Sequence, residues 1–311
     1  MNELYRYIHP STDVPAGDIG VGTREIGYLY GQYKRLTNRH GDGGVLTGKS
    51  LLIGGSPLRT EATGYGLIYM TQIAFQKQFN RSLNDVRCAV SGSGNVAQYA
   101  AQKLIQLGAN VVTMSDSNGV LVFDDGMTMD DLDVVMECKN KRRGRLSSVT
   151  GVVKSRFIPG TSPWALSQEL RYEIALPCAT QNEIIAEHAN RMVLSGVIGV
   201  LEGANLPTNI EAQGILRKAG ILYIPGKASN AGGVGVSGLE MSQNAQRLIL
   251  SSDVVDNKLQ HMMSHIYNQM IEQQRIPISD NTKKSCTLEQ GANRAGFVKV
   301  ANAMKDLGWL F

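Results

Sequence analysis

The chain has 311 residues, of which 42% are hydrophobic and 19% are charged, and its formal net charge is +4. These values are typical of a soluble globular protein. No apolar run reaches the roughly 18 residues that a transmembrane helix needs, so we expect no membrane association. Basic and acidic residues are mostly interspersed, so we expect no nucleic-acid partner.

The four cysteines form no C-x-x-C pair, and Cys88 and Cys178 lie in apolar runs, so we expect buried, reduced thiols. His261 and His265 are spaced as in metal-binding helices but lack a neighbouring acid and a third ligand, so we predict no metal site. We expect a cytoplasmic protein, with a mitochondrial location as the alternative.

The first eight residues, MNELYRYI, predict a short amphipathic helix. Met1, Leu4, Tyr5 and Ile8 would share one face of it. No capping residue precedes the pattern, so we expect the chain to begin inside an element of a longer protein.

Residues 41–50, GDGGVLTGKS, contain the letters of a phosphate-binding loop, G-x-x-x-x-G-K-[ST]. A working loop lies between a buried strand and a helix, because the helix N-terminus supplies N–H groups to phosphate. Here the preceding segment is polar and charged, and two glycines and Pro57 follow too closely for a helix. We therefore predict that the match, including Lys49, is accidental.

From residue 86 onward, short apolar runs alternate with helical patterns. This alternation predicts an α/β fold with a parallel sheet covered on both faces. The predicted strands are 86–92, 110–116, 173–178, 197–205 and 221–226, and the predicted helical stretches are 95–108, 182–194, 209–220, the region after 238 to about 275, and 291–310.

The segment GSGNVA follows the first of these strands and opens the first of these helices. Gly92, Gly94 and Ala97 fit G-x-G-x-x-[GA], in which the glycines allow a tight turn and close approach to a pyrophosphate. Asp116 ends the next predicted strand, near the spacing of a ribose-binding acid. Strand, loop, helix and acid in this order predict a dinucleotide-binding fold.

The choice of coenzyme stays open at this point. Asp116 alone favours NAD, because a carboxylate accepts a bond from the ribose 2′-OH and repels a 2′-phosphate. Ser117 follows it directly, and Lys139 and Arg142 lie in the basic cluster KNKRRGR, which favours NADP.

Long segments of the chain resemble glutamate dehydrogenases of the hexameric, small-subunit class. They are DVPAGDIGVGTREIGYLYGQYK (13–34), GVLTGKSLLIGGSPLRTEATGYG (44–66), PCATQN (177–182), EGANLPT (202–208) and KASNAGGVGVSGLEMSQN (227–244). The resemblance covers essentially the whole chain and implies a Rossmann-type doubly wound sheet. It also implies a truncated substrate domain over 1–54, a dinucleotide-binding domain over 55–280, and a C-terminal helix over 281–311 that returns to the substrate domain.

The resemblance implies reversible, NADP-dependent oxidative deamination of L-glutamate to 2-oxoglutarate and ammonia in a homo-hexamer. The family motif G-G-G-K-G-G, which carries a catalytic lysine, does not occur in this chain. We therefore expect a C-terminal portion of such an enzyme that is inactive alone. The alternatives are a non-catalytic NADP-binding remnant and a relative that acts on leucine or phenylalanine.

Site residues follow from the same resemblance. Asp18 corresponds to the catalytic aspartate, and the substrate-binding positions are Ala16, Arg59, Val234 and Ser237. The cofactor-binding positions are Thr63, Gly92, Ser93, Gly94, Asn95, Val96, Asp116, Ser117, Lys139, Arg142, Ala179, Thr180, Asn205 and Asn230. The basic cluster looks like that of the NADP-specific branch, so we expect NADP in preference to NAD.

Overall fold

The computed structural model describes residues 1–38, 41, 43–276 and 286–309. The chain divides into two compact units, a smaller one of Met1–Thr63 with Gly232–Met262 and a larger one of Gly64–Ala231 with Met263–Phe311. The expected boundary at 280–281 lies outside the described residues, and the division into 1–54, 55–280 and 281–311 stays a prediction.

Helices account for much of both units. The α-helices are α1 (Thr23–Thr37), α2 (Ala62–Phe79), α3 (Asn95–Gln106), α4 (Met129–Met136), α5 (Ser167–Leu170), α6 (Ala186–Leu194), α7 (Ile210–Lys218), α8 (Gly226–Ser229), α9 (Gly232–Gln246), α10 (Ser252–Gln274) and α11 (Leu288–Asp306). Single 3-10 turns lie at Leu4–Arg6, Leu51–Ile53 and Leu146–Val149, and one π-helical turn lies at Glu137–Lys141. Within the described ranges, no helix is both long enough and apolar enough to cross a membrane.

A seven-stranded sheet forms the centre of the larger unit, in the order β4-β3-β2-β1-β5-β6-β7. The strands are β1 (Arg87–Val90), β2 (Asn110–Asp116), β3 (Gly119–Val122), β4 (Arg156–Pro159), β5 (Ile174–Leu176), β6 (Gly199–Leu201) and β7 (Leu222–Ile224). Strands β2, β1, β5, β6 and β7 run parallel, and each lies within a predicted strand. The α/β, Rossmann-type fold class is therefore confirmed.

The sheet is mixed, however, so the expectation of an all-parallel sheet is wrong at one edge. Strands β3 and β4 pair antiparallel beyond β2. Neither was predicted: the apolar run GVLV of β3 was not recognised as a strand, and β4 (RFIP) is only partly buried and ends in Pro159. Proline is tolerated there because β4 is an edge strand.

Both faces of the sheet are covered. On one face, inward-pointing strand residues such as Ala89, Ala175 and Val200 join a buried cluster with residues of α6 and α7. Helix α3 contacts β1 and β2, and its Ala97 and Leu104 are fully buried. Because successive strand residues point to opposite faces, the nearly continuous apolar strands of the sequence match burial on both sides.

The smaller unit has its own core around α1. Ile26, Tyr30 and Tyr33 of this helix are buried together with Ile8, Val45 and Leu46, and Met1 and Tyr5 pack against them. The predicted N-terminal helix is absent: the described residues form only the turn Leu4–Arg6, and Leu4 is 42% exposed. A helix of two turns without a cap gains too little to offset its nucleation, so tertiary packing decides the local conformation.

Helix α11 is bonded to neighbours in the larger unit. Glu289 accepts a bond from Arg217 of α7 (2.8 Å), and Asn293 accepts one from Lys227 of α8 (2.8 Å). A side chain at Gly291 would collide with the backbone of Met270 in α10. The predicted helix over 291–310 is found as α11, which ends at Asp306, and its contact with a substrate domain stays a prediction.

We expect Gly64→Ala to destabilise the protein by about 1–3 kcal/mol, because a Cβ on Gly64 of α2 would lie 2.5 Å from the Ala100 nitrogen of α3. The matched control is Gly214→Ala in α7, where no atom lies within 4 Å of an added Cβ. There, the better helix propensity of alanine should raise stability by up to about 1 kcal/mol. Urea unfolding measures both, and equal effects of the two variants would contradict the close packing of α2 on α3.

Candidate functional site

The predicted glycine loop is the turn between β1 and α3. Gly92 has a φ of 84°, in the left-handed region, and a Cβ there would lie 3.0 Å from the Cys178 carbonyl oxygen. Its N–H donates to Ser115 Oγ (2.8 Å), which ties the turn to β2. Only glycine satisfies both the backbone angle and the close approach.

Gly94 is the N-cap of α3 and has an extended backbone. Nothing lies within 4 Å of the position that a Cβ would occupy on Gly94. The first N–H groups of a helix have no partner within it, and glycine has no side chain to cap them. Exposed Asn95 and half-buried Val96 therefore present backbone donors at the positive end of the helix dipole, which fits a pyrophosphate.

The carboxylate of Asp116, at the end of β2, is bonded on both oxygens. Oδ1 accepts the N–H of Asn118 (2.9 Å), and Oδ2 accepts the N–H of Leu146 (2.8 Å). Lys139 Nζ lies 3.9 Å from Oδ2 and donates to the Gly144 carbonyl oxygen at 3.0 Å. Asp116 thus joins the end of β2 to the segment that carries the basic cluster.

Ser117 is bonded to an arginine that the sequence analysis missed. The Ser117 Oγ accepts a hydrogen bond from Arg145 Nη1 (2.7 Å). The guanidinium of Arg142, the predicted residue, donates instead to the Glu137 carboxylate (2.9 Å). Arg143 has a φ of 53°, so the chain reverses inside the cluster and brings Arg145 back toward β2. Spacing along the sequence does not reveal such a reversal. The one available signal was the glycine directly before Arg145.

The turn after β5 carries Ala179 and Thr180. Both N–H groups donate to Glu183 Oε1, at 3.1 and 3.3 Å, and Glu183 Oε2 accepts from the Trp164 indole at 2.8 Å. Burial raises the pKa of the Glu183 carboxyl above its usual range, while these hydrogen bonds oppose the rise. Glu183 therefore fixes the shape of this turn. The sequence analysis did not single it out.

The turn after β6 carries Asn205, and Asn230 is the C-cap of α8, the short helix that follows β7. The two side chains bond each other through Asn230 Nδ2 and Asn205 Oδ1 (2.8 Å). Buried Glu202 supports them, because it accepts from the Tyr223 hydroxyl (2.7 Å) and the Gly226 N–H (2.8 Å). Burial raises the pKa of Glu202. Apart from Lys139 and Arg142, which lie at the π-helical turn after α4, the predicted residues of the larger unit follow the carboxyl ends of parallel strands, where α/β folds bind ligands.

In the smaller unit, Thr47 links the loop of Ala16 and Asp18 to α9. The Thr47 N–H donates to the Pro15 carbonyl oxygen (3.1 Å), and Thr47 Oγ1 lies 3.2 Å from Ser237 Oγ, within hydrogen-bond distance. Ala16 and Asp18 are exposed. At the start of α9, Val234 is 73% exposed, and a side chain on Gly233 would clash with Thr63 Oγ1, so Thr63 packs directly on this helix.

Lys49, the lysine of the apparent phosphate loop, is buried in an ion pair. Its Nζ lies 2.7 Å from Glu240 Oε1 and also donates to the Leu46 carbonyl oxygen, and neither charged side chain is exposed. The Gly48 N–H donates to the other oxygen of Glu240 (3.0 Å). The described segment after Ser50 is one 3-10 turn, Leu51–Ile53, rather than an α-helix. The sequence therefore excluded a phosphate loop correctly.

Arg59 is half-buried in the same unit, and burial lowers the pKa of its guanidinium while the charge of Glu240 opposes that shift. Its buried Nε has no hydrogen-bond partner in the described part of the chain. A buried guanidinium N–H without an acceptor is costly, so this atom is suited to an anionic ligand.

With this geometry established, comparison with known proteins identifies the family. The family model "Glutamate/Leucine/Phenylalanine/Valine dehydrogenase" matches residues 54–308. The chain belongs to this family. A second model, the dimerisation domain of Glu/Leu/Phe/Val dehydrogenases, matches residues 1–35.

Individual family members agree. The chain is 48% identical to the NADP-specific glutamate dehydrogenase of Salmonella typhimurium and 47% identical to that of Escherichia coli, in both cases over 99% of this chain and 66% of the relative. The solved structure of Plasmodium falciparum glutamate dehydrogenase superimposes with a TM-score of 0.90 at 43% identity, over 98% of this chain and 63% of that one. The chain therefore spans just under two thirds of the length of these relatives.

Removing the partner of buried Glu240 should strongly destabilise the smaller unit. We expect Lys49→Met to cost about 3–5 kcal/mol, because a buried carboxylate loses its counter-ion. Replacing both charges, as Lys49→Met with Glu240→Gln, should recover part of this loss, because no charge is then left buried. Arg24→Met is the control, since its pair with Glu25 is exposed and should matter little. Urea unfolding midpoints measure the series, and a Lys49→Met protein as stable as Arg24→Met would refute the role of the pair.

Proposed function

We propose that this chain carries the coenzyme-binding part and a share of the substrate-binding part of an NADP-dependent glutamate dehydrogenase. The reaction is the reversible oxidative deamination of L-glutamate to 2-oxoglutarate and ammonia, in a cytoplasmic homo-oligomer that is hexameric when complete. The observation that supports the proposal best is the set of donors around the end of β2, beside an uncapped helix N-terminus that suits a pyrophosphate.

The larger unit binds the coenzyme. When bound, NADP supplies the hydride acceptor of the reaction. Gly92, Ser93 and Gly94 form the turn that admits the pyrophosphate, and the N–H groups of Asn95 and Val96 donate to it. Ala179, Thr180, Asn205 and Asn230 hold the nicotinamide half at the carboxyl ends of the strands.

The 2′-phosphate lies among Ser117, Lys139 and Arg145. Asp116 does not oppose this assignment, because each of its oxygens already accepts a backbone N–H and Lys139 is close to its charge. A carboxylate that selects NAD needs an oxygen directed at the ribose 2′-OH. The arrangement therefore favours NADP over NAD.

The smaller unit binds the amino acid. The Arg59 guanidinium, whose Nε has no partner among the described residues, donates hydrogen bonds to a substrate carboxylate, and Ser237 contacts the side-chain carboxylate of glutamate. Val234 lines that end of the pocket, and Thr63 lies beside it. Exposed Asp18 moves the protons that the exchange between amine and ketone requires. Ser237 and the segment GLEMSQN (238–244) that follows it favour glutamate over leucine or phenylalanine.

NADPH should bind the purified chain more tightly than NADH, and Arg145→Ala should weaken NADPH binding by about ten- to hundredfold. The loss reflects one charge-assisted bond to phosphate. NADH binding should change less than about threefold, because NADH has no phosphate at that position. Fluorescence titration at fixed salt gives each Kd.

Arg142→Ala is the matched control for Arg145→Ala. It removes the same charge from the same cluster, but Arg142 is bonded to Glu137 and largely exposed. Its effect on NADPH binding should be clearly smaller. If Arg142→Ala were the more damaging change, Arg142 would be the phosphate ligand, and equal affinity of the wild-type chain for NADPH and NADH would refute the coenzyme assignment.

Glutamate-dependent reduction of NADP, followed at 340 nm, tests the reaction itself. Because this chain lacks the lysine of the G-G-G-K-G-G motif, we expect the 311-residue chain alone to bind NADPH without turning over glutamate. In an enzyme that also contains that motif, we expect turnover with glutamate and none with leucine, and Ser237→Ala should raise KM for glutamate more than it lowers kcat. Absence of turnover even then would support the non-catalytic alternative. Turnover with leucine alone would assign the chain to another substrate branch of the family.

A further inference from the structure

An amide pair connects the glycine loop to the basic cluster. Gln98, buried in α3, donates from Nε2 to the Ser93 carbonyl oxygen (2.8 Å) and to Asn140 Oδ1 (3.1 Å). Asn140 returns a bond from Nδ2 to Gln98 Oε1 (2.9 Å). One side chain thus contacts both the loop that faces the pyrophosphate and the segment that carries the basic residues.

Asn140 lies in the π-helical turn Glu137–Lys141, which continues α4. The Arg142 N–H closes this turn on the Glu137 carbonyl oxygen (3.2 Å), and the Gly144 N–H bonds Cys138 (2.9 Å). π-helical turns are rare and less favourable than α-helix, and they occur often at functional sites. The two bonds between Asn140 and Gln98 of α3 hold this turn in one conformation.

Lys139 directly precedes Asn140, and its position depends on the turn. Its Nζ is directed at the Gly144 carbonyl oxygen and lies beside Asp116, next to Ser117. If Asn140 were released, the turn could relax toward α-helix, which rotates each later residue about the helix axis. Lys139 and the segment that ends at Arg145 would then shift relative to Ser117.

We propose that Gln98 and Asn140 are positioning residues that determine coenzyme specificity. Asn140 sets the position of Lys139 and Arg145 for the 2′-phosphate, and Gln98 couples that position to the pyrophosphate loop through Ser93. The inference rests on the proposed NADP site. It extends the site to two uncharged residues, neither of which is placed in contact with the coenzyme.

The two residues predict different binding signatures. Asn140→Ala should weaken NADPH binding roughly three- to tenfold and leave NADH within about twofold, because only the phosphate contacts are displaced. Gln98→Ala should weaken both coenzymes, since Ser93 also loses its bond. The double variant Gln98→Ala/Asn140→Ala should have the same ratio of NADPH to NADH affinity as Gln98→Ala alone, because Asn140 has already lost its bond to Gln98.

Equilibrium titrations of the 311-residue chain with NADPH and NADH at fixed salt measure these ratios. Asn140 is exposed, so its variant is expected to fold, and a thermal melt of each protein checks this. Asn190→Ala is the matched control, because Asn190 is an exposed asparagine on α6 in the same unit. It should leave both affinities unchanged.

Three results would overturn the inference. If Asn140→Ala keeps the wild-type ratio within twofold while the wild-type chain prefers NADPH, the pair is not a specificity determinant and the NADP site stands. If Asn140→Ala weakens NADH as much as NADPH, its role is general stability. If the wild-type chain shows no preference for NADPH, the coenzyme assignment and this inference are both wrong.

Discussion

The carboxylate of Asp116 is the group on which the coenzyme half of the structure depends. It accepts one N–H from the turn just after β2 and one from Leu146, beyond the basic cluster. These bonds close a loop of about thirty residues on the end of a buried strand, so the cationic side chains gather next to Ser117. In the proposed function, this acid does not contact the ribose but organises the site for the 2′-phosphate, since its own charge is satisfied by backbone donors and Lys139.

The buried pair of Lys49 and Glu240 has a comparable role in the smaller unit. It joins the segment GVLTGK to α9, next to the contact between Thr47 and Ser237. A fully buried ion pair therefore holds the helix that carries Ser237, one of the residues proposed to bind substrate. Such a pair adds little net stability, but loss of one partner leaves a charge that burial penalises heavily. Lys49, the lysine of the apparent phosphate loop, is therefore the counter-ion of buried Glu240.

Sequence periodicity located the parallel strands, because strands buried on both faces are continuously apolar, and it located α3, α6, α7, α9, α10 and α11. It did not predict α1, α2 or α4. It failed at Met1–Ile8, where the apolar spacing of a helix was present but the segment forms one turn on the α1 core. It also missed β3 and β4, which form the sheet edge by antiparallel pairing beyond β2, an arrangement that the alternation of strands and helices does not signal. Both failures concern segments whose structure is set by contacts distant in the chain.

The sequence by itself determined the α/β class, the glycine loop at Gly92–Gly94 and the family, because those depend on local backbone needs and long contiguous motifs. Only the tertiary structure decided which cation lies beside Ser117, because a left-handed residue at Arg143 reverses the chain and brings Arg145 to it. Only the tertiary structure revealed the contacts of Gln98, Glu183 and Glu202. The partners of Gln98 and Glu202 lie far away in the sequence, and those of Glu183 depend on the geometry of a turn. Hydrogen bonds between distant residues leave no period and no spacing in a single sequence.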